Sequence, residues 1–510
     1  MSRNVVYKAY DQDQLSLLPP SYDELVPENH PVRIVNTIVD RLDISSLEKG
    51  YKGGGTSSYH PRMLLKVIIY SYLRNLYSSR KIEQALQENI HFMWLSGQSR
   101  PDHNTINDFR GKRLKGELKK VFNQVVMLLA TEGIINIKDI YVDGTKIEAN
   151  ANRYTFVWGK NIKNSRERIK KQLKEIWSYV EKVYADEEQT PNTPDFEAVD
   201  PEKVAATIDR INEVLAGKEI DRKLKQKLNY AKKNWPENLK KYEEQEKQMG
   251  TRNSMSKTDP DATFMRMKDD HMQNGQLKPG YNIQISTNTQ FIVNYTSAQT
   301  TADTTTLKDH LQEHEQSFNQ TPDTLTADAG YGSEENYQAL EEKEITAFVK
   351  YNYFHKEQRD KKKEPDPFHP DNLFYNQEQD CYYCPMGQKL ENIGSYQRTT
   401  KTGYLQTIQR YQAQNCQGCS LRGMCHQAKE NRIIERNYNL IRHKKKAKER
   451  LLSEVGIAKR KQRCWDVEAV FGNIKQNMNF KRFMLRGIDK INVEMGLIAL
   501  AHNLKKASLA

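Results

Sequence analysis

The chain has 510 residues and a formal net charge of +13 at pH 7. It is too long for one ordinary domain of about 100 to 200 residues, and basic enough to suit a polyanion, because neutralising phosphates releases condensed counterions. No stretch reaches the roughly 20 apolar residues that span a bilayer, and the polar start MSRNVVYKAYDQDQ has no signal-peptide apolar region. The expectation is a soluble, cytoplasmic protein whose six cysteines serve in metal binding or burial rather than in disulfides.

Residues 1–135 read as a helical N-terminal domain. After Pro61, the spacing of Leu64, Ile68, Tyr72 and Leu76 by four makes one apolar helix face. A helix over 79–89 and a second beginning at Pro101 and Asp102 could form a helix-turn-helix presenting Arg110, Lys112 and Arg113 to DNA; a plain helical bundle is the alternative. Residues 136–160 open an α/β core with the strand KDIYVD (138–143), ending in Asp143. From 161 to 255 Lys, Glu and Gln dominate, with sparse Ile169, Leu173, Ile176 and Val180, which reads as a solvated helical rod broken into two arms by TPNTPD (190–195).

The core continues over 256–350. A hairpin (280–287 and 290–297), a helix (303–315), a strand (323–327) ending before Asp328, a helix (334–342) and a strand (345–350) follow in order. This mixed order matches a ribonuclease-H-like sheet flanked by helices, in which the first and fourth strands are neighbours and Asp143 would meet Asp328. Residues 351–440 form a turn-rich, cysteine-rich insertion, and 441–510 carry C-terminal helices, with Glu468 on one of them beside the apolar stripe Val467, Val470, Phe471 and Ile474.

Three carboxylates on two strand ends and a helix, with room for water, suit Mg²⁺ or Mn²⁺. Lys475 lies two α-helical turns after Glu468 and so on its face, suited to a phosphate; a surface helix with a chance Glu and Lys is the plain alternative. Cys381-x2-Cys384 and Cys416-x2-Cys419 give the two thiolate pairs of a structural zinc knuckle, with Cys425 and His426 as further ligands, so the fourth ligand stays open. The basic runs KKKAKER (444–450) and KRKQR (459–463) precede Glu468 and could track a DNA backbone; a solvated helix face is the alternative.

The phrases VDGTKIEANANR, TADAGYGSEENY and VEAVFGNIKQN with FKRFMLRG and INVEMGLIALAHNLKK, together with PDHNTINDFR, SKTDPDATFMRMK and GYNIQIST, run across nearly the whole chain. They resemble the DDE transposases of bacterial insertion sequences, in particular the group numbered eleven eighty-two. The resemblance implies Asp143, Asp328 and Glu468 as a triad holding two Mg²⁺ or Mn²⁺ ions, and Lys475 as a phosphate-contacting lysine. It implies cleavage at the element's terminal inverted repeats, joining of 3′-hydroxyl ends to target DNA, and a homodimer on double-stranded DNA at the bacterial nucleoid.

Related enzymes often carry an Arg one turn before the catalytic Glu, where this chain has Cys464. Lys461, seven residues before Glu468, shares its face in an α-helix and Arg463, five before it, does not. Glu494 is a rival third acid. Two other readings stay open: a domesticated or decayed DNA-binding protein of the same fold, and a ribonuclease-H-like nuclease that cuts without joining.

Overall fold

The computed structural model describes residues 20–51, 58–183, 200–218, 220–267, 275–359 and 366–509. Two compact units are present. Residues up to Val125 together with those from Gly496 form one, and Val126–Met495 the other. Among the described residues no helix is long and apolar enough to cross a membrane.

The first unit is helical. Helices α1 (Pro31–Arg41) and α2 (Pro61–Leu73) each open on a proline, whose fixed φ and missing N–H suit a first turn, after a histidine that accepts the next free N–H. Helix α2 buries Leu64, Leu65, Val67, Ile68 and Tyr72, but stops at Leu73, so Leu76 is not part of its face. Helix α3 (Ser79–Glu88) and helix α4 (His103–Asp108) follow. Asp102 caps α4 by accepting the Thr105 N–H at 2.8 Å, as the Pro-Asp start signal predicts.

The second unit is mixed α/β around a six-stranded sheet. Its strands are β1 (Asp139–Glu148), β2 (Thr263–Arg266), β3 (Leu277–Asn288), β4 (Phe291–Ala298), β5 (Thr324–Ala327) and β6 (Thr346–Val349). The order is β2-β3-β1-β5-β6, and β4 pairs the far half of β3. Strand β1 runs antiparallel to β3 and parallel to β5, which runs parallel to β6. Burial on both faces gives β1 and β5 their apolar runs.

The charged insertion departs from the solvated rod with two arms. Helices α5 (Gly159–Val183), α6 (Pro201–Val214) and α7 (Arg222–Met249) pack on a core of their own that includes Leu173, Trp177, Ile208, Leu228, Trp235 and Leu239. Sparse apolar residues suffice because each helix contributes one stripe to a shared interior; the TPNTPD segment lies outside the described residues. Antiparallel strands Phe156–Trp158 and Ser254–Ser256 close the base of this insertion.

Helices α8 (Leu307–Phe318) and α9 (Glu334–Glu342) cover the sheet. Ile140, Val142, Leu325, Ala327 and Val349 pack there with Leu311, Leu340, Ala447 and Leu451. The cysteine-rich segment, turn-rich in sequence, is an antiparallel five-stranded sheet ordered β11-β10-β9-β8-β7. Its strands are β7 (Phe374–Asn376), β8 (Cys381–Tyr383), β9 (Lys389–Thr399), β10 (Leu405–Ala413) and β11 (Ile433–Arg436). Helices α10 (Tyr438–Leu452) and α11 (Glu454–Arg463) then return to the central sheet. Their turn needs Gly456, since a Cβ there would lie 2.0 Å from the Arg450 carbonyl oxygen.

Candidate active site

Asp143 does not end its strand. Strand β1 continues through Gly144 to Glu148, held by β3 as far as the Glu148–Gly280 pair, because residues 145–148 have an antiparallel partner that the sequence pattern does not reveal. The parallel register with β5 stops at Val142 and Ala327. Asp143 and Asp328 are each the next residue, so they stand at the same level, Asp143 within β1 and Asp328 just past the end of β5. Asp143 is buried; Asp328 turns the chain by accepting the Gly330 N–H at 2.8 Å.

Glu468 reaches this level through a change of helical type. Residues Cys464–Glu468 form a π-helical turn, followed by an α turn at Ala469–Gly472 and a second π turn at Asn473–Asn477. The i→i+5 hydrogen bonding of a π turn brings residues five apart close to one face. Arg463 therefore shares a face with Glu468, against the α-helical expectation. Its Nη2 lies 3.2 Å from Glu468 Oε1 and its Nη1 3.1 Å from Asp143 Oδ2. Burial opposes the charge on this guanidinium, but Asp143, Asp328 and Glu468 outweigh it and hold its pKa above the usual value. The π turn is pinned by Asp466, which accepts the Gln290 N–H at 3.0 Å at the tip of the β3–β4 hairpin, where Thr289 and Gln290 both have positive φ.

Three further residues join the site without a signal in the sequence. Asp303, which reads as a helix-start residue, accepts from Asn282 and Gln284 at 2.7 and 3.1 Å. It approaches the sheet because position 144 is glycine, where a Cβ would lie 2.8 Å from Asp303 Oδ1. Tyr331 is buried and donates to Gln284; burial first, then Asp303, Asp143 and Asp328, push its hydroxyl pKa well above the usual value. Lys350, just past β6, is buried, and burial followed by the Arg463 charge lowers its pKa.

Other expected residues are placed differently. Lys461 stays exposed. Lys475 is buried while Glu468 is half exposed, since the π turns shift the register that would align them. Glu494 is fully buried and accepts the Met484 and Leu485 N–H groups at 3.0 Å, which fixes that turn. In the helical unit Arg110 is a correction: it is 3% exposed and donates to Tyr72, Asn107 and the Tyr77 carbonyl, so it cannot reach a DNA backbone. Lys112 is exposed and paired with Asp108 at 2.9 Å; Arg113 is exposed, donating to the Gly50 carbonyl and stacked over Tyr51.

Among the described residues, no three His, Cys, Asp or Glu side chains already stand close enough to hold a metal ion. At the carboxylates the reason is visible, because the Arg463 guanidinium lies between Asp143 and Glu468. The donor set still fits a hard divalent cation: carboxylate oxygens gathered around one buried positive charge. In the cysteine-rich sheet, Cys384, Cys416, Cys419 and Cys425 line one cavity and Cys381 does not.

Residues 383–508 match the family described as Transposase DDE domain, and residues 20–112 match the one described as Transposase domain (DUF772). These matches indicate a transposase of the DDE type. They support a DNA-transposing enzyme with DNA as its partner, of a type that uses divalent metals such as Mg²⁺. The DDE match contains Glu468 and Lys475 and leaves Asp143 and Asp328 outside it. No curated protein and no solved structure matches the chain.

Proposed function

We propose that this protein cuts DNA at the ends of its own insertion sequence and joins the freed 3′-hydroxyls to target DNA, as a member of the group numbered eleven eighty-two with a ribonuclease-H-like core. The observation that carries the reading is the level placement of Asp143 in β1 and Asp328 just past the parallel β5, with Arg463 linking Asp143 to Glu468. Asp143, Asp328 and Glu468 would hold two divalent ions. Such ions, when bound, lower the pKa of a water nucleophile and neutralise charge at the phosphorus.

The chain's own residues supply position and charge. Asn282 and Gln284 orient Asp303, Tyr331 closes the floor, and Arg463, Lys350 and Lys475 offer cations to a scissile phosphate. Among the described residues the buried Nε of Arg463 has no hydrogen-bond partner, which suits a donor for a phosphate oxygen. Lys112, Arg113, Lys461 and the basic run 444–450 are assigned to the DNA backbone, and the N-terminal helices to the terminal inverted repeats. Two element ends handled together call for a homodimer at the nucleoid. The cysteine-rich sheet is assigned one structural zinc.

The test is cleavage and strand transfer on DNA carrying the element's ends, with Mg²⁺. Asp143→Asn and Asp328→Asn are expected to bind ends and to cut nothing. Undiminished cutting by either variant removes that aspartate from the mechanism. End binding without cutting by the unaltered protein would point to the non-catalytic alternative, and cutting without joining to a nuclease.

A further inference from the structure

The cysteine-rich sheet has a small interior, made by Leu373, Tyr382, Leu390, Tyr411, Ala413 and Ile434, with Cys384 and Cys416 packed against it. That is a thin core for a five-stranded sheet to stand on. At one end a cavity of about 30 Å³ is lined by Cys384, Cys416, Cys419 and Cys425, with His426 and Arg432 beside them. All six cysteines of the chain are free thiols.

The four sulfurs come from three tight turns. Cys384 sits in a turn in which its N–H donates to the Gln388 carbonyl and the Gly387 N–H donates to its own carbonyl. Cys416 and Cys419 flank Gly418, whose φ of 68° turns the chain sharply between them. Cys425 ends the helical turn Arg422–Cys425. Donors already point at sulfur: the Arg432 N–H lies 3.4 Å from Cys416 Sγ and Arg432 Nη1 lies 3.1 Å from Cys425 Sγ. Among the described residues neither buried ring nitrogen of His426, at this cavity, has a hydrogen-bond partner. Cys381, in contrast, lies within β8, paired with Asn376 and Glu391, and also precedes the segment that matches the transposase family.

We infer that Cys384, Cys416, Cys419 and Cys425 form a four-thiolate zinc site in which Arg432 is the charge-compensating donor. The inference rests on the zinc reading of this sheet and replaces the sequence-based set, in which Cys381 stood as a ligand. Binding is an acid–base exchange with no redox change: four thiols release four protons, and Zn²⁺ with four thiolates carries two negative charges. The buried Arg432 guanidinium meets one of them and its N–H groups donate to the sulfurs, the outer-shell role that orients metal ligands. With Zn–S bonds of about 2.3 Å, the sulfurs must close inward around the ion. Cys425 is chosen over the adjacent His426 because its sulfur shares the Arg432 donor with Cys416, Arg432 reaching Cys425 Sγ at 3.1 Å and Cys416 Sγ at 3.4 Å.

The site also has a lever on the catalytic helices. Strand β11 leads through Asn437 into α10, and Asn437 caps that helix while donating to Glu334 at 2.6 Å. Tyr438, at the first position of α10, is hydrogen-bonded to Tyr382 and Tyr411 of the same sheet. Fixing the end of this sheet therefore fixes where α10 and α11 start their run toward Arg463 and Glu468.

The experiment is elemental analysis of the full-length protein and its variants, purified with zinc present. The unaltered protein, Cys381→Ser and His426→Gln are expected to hold about one zinc per chain, and Cys416→Ser and Cys425→Ser to lose it. No zinc in the unaltered protein would reject the zinc reading itself. Zinc retained by Cys425→Ser, or lost by a soluble Cys381→Ser, would keep that reading and overturn this ligand set. Should the serine variants fail to fold, cobalt substitution of Cys381→Ala decides the ligands, because four thiolates then require Cys425. Charge-transfer absorption scaled to four thiolates supports the set, and that of two or three thiolates refutes it.

Discussion

Replacing Arg463 by Gln removes the positive charge around which the carboxylates gather and keeps a shorter, neutral polar side chain. The Asp143 carboxylate is only 9% exposed and loses a partner at 3.1 Å. Removing one member of a buried ion pair costs about 3–5 kcal/mol, because the other charge is left uncompensated. The Glu468 arm is 53% exposed, so solvent screening limits its share to about 0.5 kcal/mol. A loss of about 3 kcal/mol, at about 2 °C per kcal/mol for a unit of this size, lowers the melting temperature by roughly 6 °C in chelator. A divalent ion among the same carboxylates supplies the missing charge, so saturating Mn²⁺ is expected to shrink the gap between Arg463→Gln and the unaltered protein to roughly 2 °C. Differential scanning calorimetry with EDTA and across a Mn²⁺ series measures this directly. A gap of the same size with and without Mn²⁺ would refute the idea that Arg463 and the metal serve the same carboxylates; no gap at all would refute the buried pair.

The remaining predictions concern other parts of the molecule. Arg110→Ala strips three hydrogen bonds from the interior of the helical unit and is expected to cost about 3 kcal/mol in urea unfolding, whereas exposed Lys112→Ala stays within about 0.5 kcal/mol. Trp177→Ala empties the centre of the three-helix insertion and is expected to cost about 3–5 kcal/mol, read as early loss of protease resistance over 159–249. His30 and His91 stack with ring centroids 3.9 Å apart, and burial first, then nearby charge, holds both pKa values below 6.5. The unfolded chain thus binds protons before the folded one as pH falls through about 6.5, so stability present above that pH is lost below it. His91→Gln should flatten the decline in melting temperature between pH 6.5 and 5; an unchanged decline would show that the stacked pair does not cause it.

The sequence by itself marked most strands of the central sheet and several helix starts. β-branched and aromatic residues mark β1, β3, β4, β5 and β6, in apolar runs such as 140–142 and 291–293 and in the alternation of Tyr281, Ile283 and Ile285 with polar residues. Proline and aspartate caps mark helix starts at Pro61 and Asp102, and turn residues follow Asp328. Only the tertiary structure decided how these parts combine. Asp143 reads as a strand end because Gly144 follows it, yet pairing with β3 carries the strand five residues further, and pairing partners are set by contacts distant in sequence. Arg463 reads as facing away from Glu468 because a 3.6-residue period is assumed, and the π turn that cancels this is held by the Asp466 contact with Gln290, 176 residues away. Asp303 and Lys350 carry no local signature, since what makes them part of the site is burial beside charges brought in by other strands. For the cysteines, spacing alone couples Cys381 to Cys384, but strand pairing seats Cys381 in β8 while the turns after β8 and β10 bring Cys384, Cys416, Cys419 and Cys425 to one cavity.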